Sequence, residues 1–125
     1  MDVEKQVQYW KARGIEDMDA ARSLLDKGHL RHALFFAHLA IEKLLKAHVT
    51  RRTQDVPPKI HNLVRLAEIA ELSLPRPRTD FLKQFNVYQL EGRYPDTADS
   101  KIDKQTAVSD LRQAEEFLKW LNNQL

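Results

Sequence analysis

HLRHALFFAHLAIEKLLKAHVTRR, residues 29 to 52, is the stretch whose reading decides the fold. Placed at ~100° per residue, Leu30, Leu34, Ala37, Ile41, Leu44 and Leu45 form one side of a helix. Ala33, Phe36, Ala40 and Ala47 widen that side, mostly with small residues that allow close approach, until apolar positions cover roughly half the circumference. A helix with so wide an apolar face belongs at the centre of a bundle. Arg31, His38, Glu42 and Lys46 fall in a narrow polar stripe on the opposite side, interrupted only by Phe35, and this stripe is the first candidate site.

Working outward, the segment from Val3 to Lys27 places Val3, Val7, Trp10, Met18, Ala21 and Leu25 near one face and ends at Gly28, the usual residue for a helix stop. Gly14 interrupts that stripe at a cost of about 1 kcal/mol relative to alanine, and it marks either close packing against a neighbouring helix, the favoured reading, or a weak point in the helix. Beyond the breaking pair Pro57 and Pro58, a short helix is expected from about Lys59 to Leu72, with Ile60, Leu63, Val64, Ala67 and Ala70 inward. A fourth is expected near Thr79 to Gly92, where Phe81, Phe85 and Tyr88 share a face, and its end is signalled by Gly92 and Pro95. From about Asp103 onward, Ala107, Leu111, Ala114, Leu118, Leu121 and Leu125 repeat at spacings of four, three, four, three and four, a helix seam widened by Phe117 and Trp120. No strand-like alternation or internal repeat is visible. The fold class is therefore all-α, an up-and-down helical bundle of four to five helices in a single domain over residues 1–125.

Composition bounds the chemistry. A chain of 125 residues with 42% hydrophobic content has room for one core and no second domain. With no cysteine, disulfides and thiolate chemistry are excluded, and a reducing, cytoplasmic setting fits. The opening residues lack the apolar core of a signal peptide, and the longest uncharged apolar stretch, His32 to Ile41, is far below the ~20 residues that span a bilayer. No membrane association is expected. Twenty Lys and Arg against eighteen Asp and Glu give a net charge of +2, too balanced to imply nucleic acid by itself.

Four of the five histidines lie between His29 and His48. His38 and Glu42, one turn apart, could supply two metal ligands, but His32 and His48 point to other faces and no second paired motif completes a shell, so neither a metal nor any cofactor is expected. The alternative for His38, Glu42 and Lys46 is a polar stripe stabilised by contacts one turn apart. No glycine-flanked nucleophile turn and no phosphate-cradling glycine loop occurs.

Three motifs in order resemble the HEPN family. AHLAIEKLLKAHV, with Phe35 and Phe36 before it, is similar to the family's central helix through Phe36, Ala40, Glu42 with Lys43, and Lys46 with Ala47. PPKIHNLVRL is similar to the start of its next helix through Pro58, His61 and Leu63, and GRYPD to the end of its fourth through Arg93, Tyr94, Pro95 and Asp96. With the helix order, the resemblance spans nearly the whole chain. It implies a helical bundle, commonly a homodimer, frequently paired with a small nucleotidyltransferase; some members are ribonucleases of toxin–antitoxin or defence systems.

The resemblance has one departure. Ribonucleases of the family carry an Arg followed after four to six residues by a His, whereas the positions after Arg93 hold Ala98, Asp99 and Ser100, and no histidine occurs beyond His61. Arg22 with His29 and Arg31 with His38 match the spacing formally, but in the wrong part of the chain. The expectation is thus a nucleotide- or RNA-associated binding module and not an independent enzyme. Its candidate ligand contacts are Arg93, Tyr94, His61, Glu42, Lys46 and His38. Arg93 offers a planar fork of donors to phosphate and Tyr94 a ring for stacking, although helix capping and core packing account for them equally well. His61 could orient a phosphate, cap its own helix or fill the core edge. The alternatives are a ribonuclease with a non-standard site and a purely structural partner subunit. A homodimer is expected because Phe35, Phe36, Leu39, Phe117 and Trp120 extend the apolar surface beyond the narrow seams.

Overall fold

Each strongly apolar segment forms helix in the computed structural model, which describes residues 1–91 and 102–125. The elements are α1 (Val3–Asp26), α2 (Leu30–Thr53), α3 (Leu63–Ile69), α4 (Arg76–Phe85), α5 (Val87–Glu91) and α6 (Lys104–Asn123). No strand occurs among the described residues, and none of their helices is long and apolar enough to cross a membrane.

α1 and α2 form an antiparallel hairpin, the most extensive helix pair among the described residues. Its turn is a Schellman motif: Gly28 takes a φ of 82°, its N–H donates to the Leu25 carbonyl at 3.0 Å, and the His29 N–H donates to Leu24 at 2.9 Å. Side-chain bonds hold the far end, where Arg51 donates to both carboxylate oxygens of Glu4 at 2.9 and 2.7 Å. Between them Gly14 is buried. A Cβ there would lie 2.2 Å from Leu44 Cδ2 and 3.0 Å from the Ala40 carbonyl oxygen, so the glycine lets α1 settle directly onto α2, as the interrupted stripe predicts.

α6 crosses to α2 and runs parallel to it, with Leu121 beside His48 and Leu125 beside Arg51. Its inward residues Ala107, Leu111, Ala114, Leu118 and Leu121 are all buried, as the seam predicts. Phe117 is also buried, at 2% exposure, and Phe36 packs against the core, so neither adds to an outward apolar patch. Trp120 is partly buried and lies under the Arg78 guanidinium, 4.5 Å from its ring centre. The apolar surplus expected for an interface is therefore smaller than the sequence suggests.

The short helices differ from their predicted bounds. Asn62 caps α3 by accepting from the Arg65 N–H at 3.1 Å, so the helix begins at Leu63 and His61 lies before it instead of inside it. The fourth predicted helix starts earlier, after Pro75, and is split at Asn86, whose side-chain oxygen accepts from the Leu63 N–H at 2.9 Å while its amide nitrogen donates to Asn62 at 3.2 Å. This asparagine pair ties the α4–α5 junction to the start of α3.

α2 is buried on nearly every side. Besides its apolar face, His38, Glu42, Lys46, His48 and Thr50 are all buried. The polar stripe therefore does not face away from the protein. α1 covers it at Lys46 through Trp10, and the chain leading into α3 covers it at Glu42 through His61.

Gly14→Ala removes a helix-propensity penalty of about 1 kcal/mol but forces a methyl into a filled contact, at a cost of ~1–3 kcal/mol. The expected outcome is net destabilisation, read as a lower urea midpoint at unchanged slope. His48 supplies a pH-dependent prediction. Its Nε2–H donates to the Leu121 carbonyl at 2.8 Å, yet burial dominates and holds the imidazole below its ordinary value of 6.5. As pH falls through about 6.5, the unfolded chain takes up a proton that the folded ring resists, so stability declines on the acid side of neutrality. His48→Gln keeps a donor for Leu121 and should flatten that slope in urea unfolding measured between neutral pH and about pH 5.

Candidate functional site

The polar residues of α2 meet one residue from outside it. Pro57 and Pro58 end the path that would continue α2, the Ile60 N–H donates to the Pro58 carbonyl at 2.9 Å, and Asn62 starts α3. The four residues from Lys59 to Asn62 are left non-helical, and they lay His61 against Glu42. Its Nδ1 lies 3.1 Å from Glu42 Oε1, while Lys46 Nζ donates to Oε2 of the same carboxylate at 3.1 Å. One carboxylate thus serves two partners, one through each oxygen.

Burial within the cluster is uneven, and that decides what each member can do. The Glu42 and Lys46 side chains are 5% and 8% exposed, whereas that of His61 is 42% exposed. Lys46 Nζ also sits 5.5 Å from the Trp10 ring centre, a cation–π contact that covers the ammonium from the α1 side. The Lys46 charge is therefore neutralised internally. His38 is fully buried, with Nδ1 3.9 Å from Glu42 Oε1, beyond hydrogen-bond range. Only His61 combines a fixed orientation with access to solvent: the carboxylate holds Nδ1–H, and Nε2 is left as an acceptor.

Four sequence-predicted site residues, His38, Glu42, Lys46 and His61, are thus brought together by the fold. Arg93 and Tyr94 lie outside the described residues. Of the formal Arg-to-His matches, His38 is fully buried, and Arg22 is engaged by Glu115 at 2.6 Å and Asp19 at 2.5 Å. Among the described residues no three His, Cys, Asp or Glu side chains converge to hold a metal ion.

Two contributors escaped the sequence reading. Trp10, read as part of the apolar stripe of α1, is the wall beside Lys46. Asp17, three residues from the close contact at Gly14, pairs with Lys43 at 2.6 Å and pins α1 beside the stripe. An acid on α1 opposite a lysine on α2 was the available signal, but its use required the hairpin register. Elsewhere lies a groove of about 690 Å³ between α1 and α6 with Met18, Leu25, Leu111 and Leu118 at its base and the Arg22–Glu115 pair at its edge.

The sequence matches the HEPN domain over residues 7–124, and the chain belongs to the HEPN family. The fold is similar to that of the crystal structure of TT1696 from Thermus thermophilus, with a TM-score of 0.81 and 21% sequence identity over 96% of this chain and 98% of that one. None of the curated proteins matches the chain.

Proposed function

We propose that this HEPN protein is a nucleotide- or RNA-associated binding module that works with a small nucleotidyltransferase in a toxin–antitoxin or related system, with His61 as its ligand-facing group. The observation that carries the reading is the half-exposed His61 ring tied through Nδ1 to a buried carboxylate that is itself balanced by Lys46. A ring fixed in this way pays little orientational entropy on binding and offers Nε2 to a ligand donor or, when protonated, to a phosphate oxygen. Glu42 and Lys46 act from beneath as its support, and His38 closes the cluster from within the core. Arg93 and Tyr94 enter the proposal on their chemistry alone, as phosphate and base contacts.

A second reading draws on the same observation. A carboxylate-oriented imidazole has the arrangement of a general base, which would allow His61 to take the place of the histidine missing after Arg93 in a ribonuclease. Intact RNA after prolonged incubation with the purified protein contradicts this reading and leaves binding in place.

A two-fold homodimer belongs to the proposal as well. It is supported by the half-buried Phe35 and Leu39 on α2 and by the apolar base of the α1–α6 groove.

Calorimetry with a panel of nucleotides and short RNAs tests the binding reading. His61→Ala and Arg93→Ala should each weaken binding of the best ligand by at least ~1 kcal/mol, the scale of a lost charge-assisted hydrogen bond. No detectable binding of any of them by a folded protein contradicts the nucleotide part. Light scattering in the same samples should give about twice the 14.6 kDa chain mass, and a clean monomer mass contradicts the dimer.

A further inference from the structure

His61 reaches Glu42 against the helix start that the local sequence favours. A proline suits the first turn of a helix, so the run that follows Pro57 and Pro58 would naturally wind from about Lys59 and take His61 into α3. In the structure α3 begins only at Leu63. The difference turns on one donor. In a helix that ran back to Lys59, the Leu63 N–H would bond to the Lys59 carbonyl. Here it donates instead to the side-chain oxygen of Asn86 at 2.9 Å. Leu63 is fully buried, so this N–H needs a partner within the protein, and Asn86 supplies the one that leaves residues 59–62 unwound. The asparagine reaches across from a fixed base: its own N–H donates to the Leu82 carbonyl at 3.1 Å, its carbonyl accepts from the Gln89 N–H at 3.3 Å, and the neighbouring Phe85 is buried. Its amide nitrogen donates at 3.2 Å to Asn62 Oδ1, the oxygen that also accepts from the Arg65 N–H and caps α3.

We propose that Asn86 is a positioning residue of the His61 site: by capturing the Leu63 N–H it holds residues 59–62 out of α3 and so lays the His61 imidazole on Glu42. Winding those residues into the helix would shorten their span from about 3.3 to about 1.5 Å per residue and turn each by ~100°, which draws the ring off the carboxylate. The Asn62 cap favours a start at Leu63 but acts on a different donor, that of Arg65. Only the bond from Asn86 removes the donor that a longer helix would use. Asn86 also stands where α4 meets α5, so the placement of His61 is tied to the setting of that junction, more than twenty residues further along the chain. The consequence for binding rests on the reading of His61 as the ligand-facing group, whereas the placement of the ring is a property of the free chain.

NMR of the ligand-free full chain, recorded above the ordinary imidazole value of ~6.5, tests the assignment. In Asn86→Ala the Cα shifts of residues 59–62 should move toward helical values, and His61 should lose its Nδ1–H form for the Nε2–H form of an unconstrained imidazole. His48 should keep Nε2–H on the Leu121 carbonyl, which reports an intact fold. Asn86→Asp keeps an acceptor for Leu63 and should preserve Nδ1–H on His61. Asn86→Leu, similar in size to asparagine but without an acceptor, should behave as the alanine variant does and decides the matter if that variant does not fold. Nδ1–H retained on His61 in a folded variant lacking the acceptor, or lost in Asn86→Asp, overturns the positioning role. Because these spectra need no ligand, failure of the chain to bind nucleotides in calorimetry contradicts the binding reading alone.

Discussion

A carboxylate sits in the middle of the most deeply buried helix, and the surrounding structure is arranged to satisfy it. Burying Glu42 and Lys46 at 5% and 8% side-chain exposure costs several kcal/mol per ion before any attraction is counted. Their mutual bond recovers part of that cost, and the remaining carboxylate oxygen needs a donor of its own. His61 provides it, which requires the chain between α2 and α3 to stay unwound and close to α2. Trp10 must then cover the Lys46 ammonium from the other side, which fixes the rotation of α1 about its axis. Replacing one partner alone would leave a buried charge uncompensated, a loss of roughly 3–5 kcal/mol, and for that reason the cluster behaves as a unit.

The close α1–α2 contact makes this arrangement possible. With Gly14 seated against Ala40 and Leu44, Trp10 is carried one turn further along to Lys46, and Asp17 is carried to Lys43. A bulkier residue at position 14 would hold the helices apart and open the stripe to water. The Lys46–Glu42 pair would then be an ordinary surface pair, worth well under 1 kcal/mol, and His61 would have no buried anchor.

Much of this was legible in the sequence, and the limits of that legibility have physical causes. The long helices follow from apolar periodicity because each buries a continuous stripe, and the seam of α6 is matched in the core from Ala107 to Leu121, with Leu125 beyond the helix and only partly buried. Gly14 announced close packing because a glycine inside an apolar stripe is costly without a neighbour to justify it. The stripe of His38, Glu42 and Lys46 was legible as a pattern opposite the apolar side, but its burial was not. Periodicity reports which residues share a face and does not report what covers that face. The break at Asn86 was missed for a related reason, since the side-chain bonds that set the junction reach α3, more than twenty residues away in the chain. Leu82, fully buried, likewise went unread beside the aromatic residues that dominate its helix.

For function, family membership and the Glu42 cluster bear on different questions. The first supplies the scaffold, and the second selects which residue of that scaffold presents a fixed polar atom to solvent. The central claim is that Glu42 holds His61 through Nδ1, and the tautomer of His61, read beside that of His48, reports on it directly. Long-range proton–nitrogen correlation spectra of the histidine rings, recorded near pH 8.5, above the ordinary imidazole value of ~6.5, distinguish the nitrogen that carries hydrogen. The account predicts opposite tautomers within one molecule: hydrogen on Nδ1 of His61, facing Glu42, and on Nε2 of His48, facing the Leu121 carbonyl. Hydrogen on Nε2 of His61 with a bare Nδ1 would place two acceptors against each other and contradict the account.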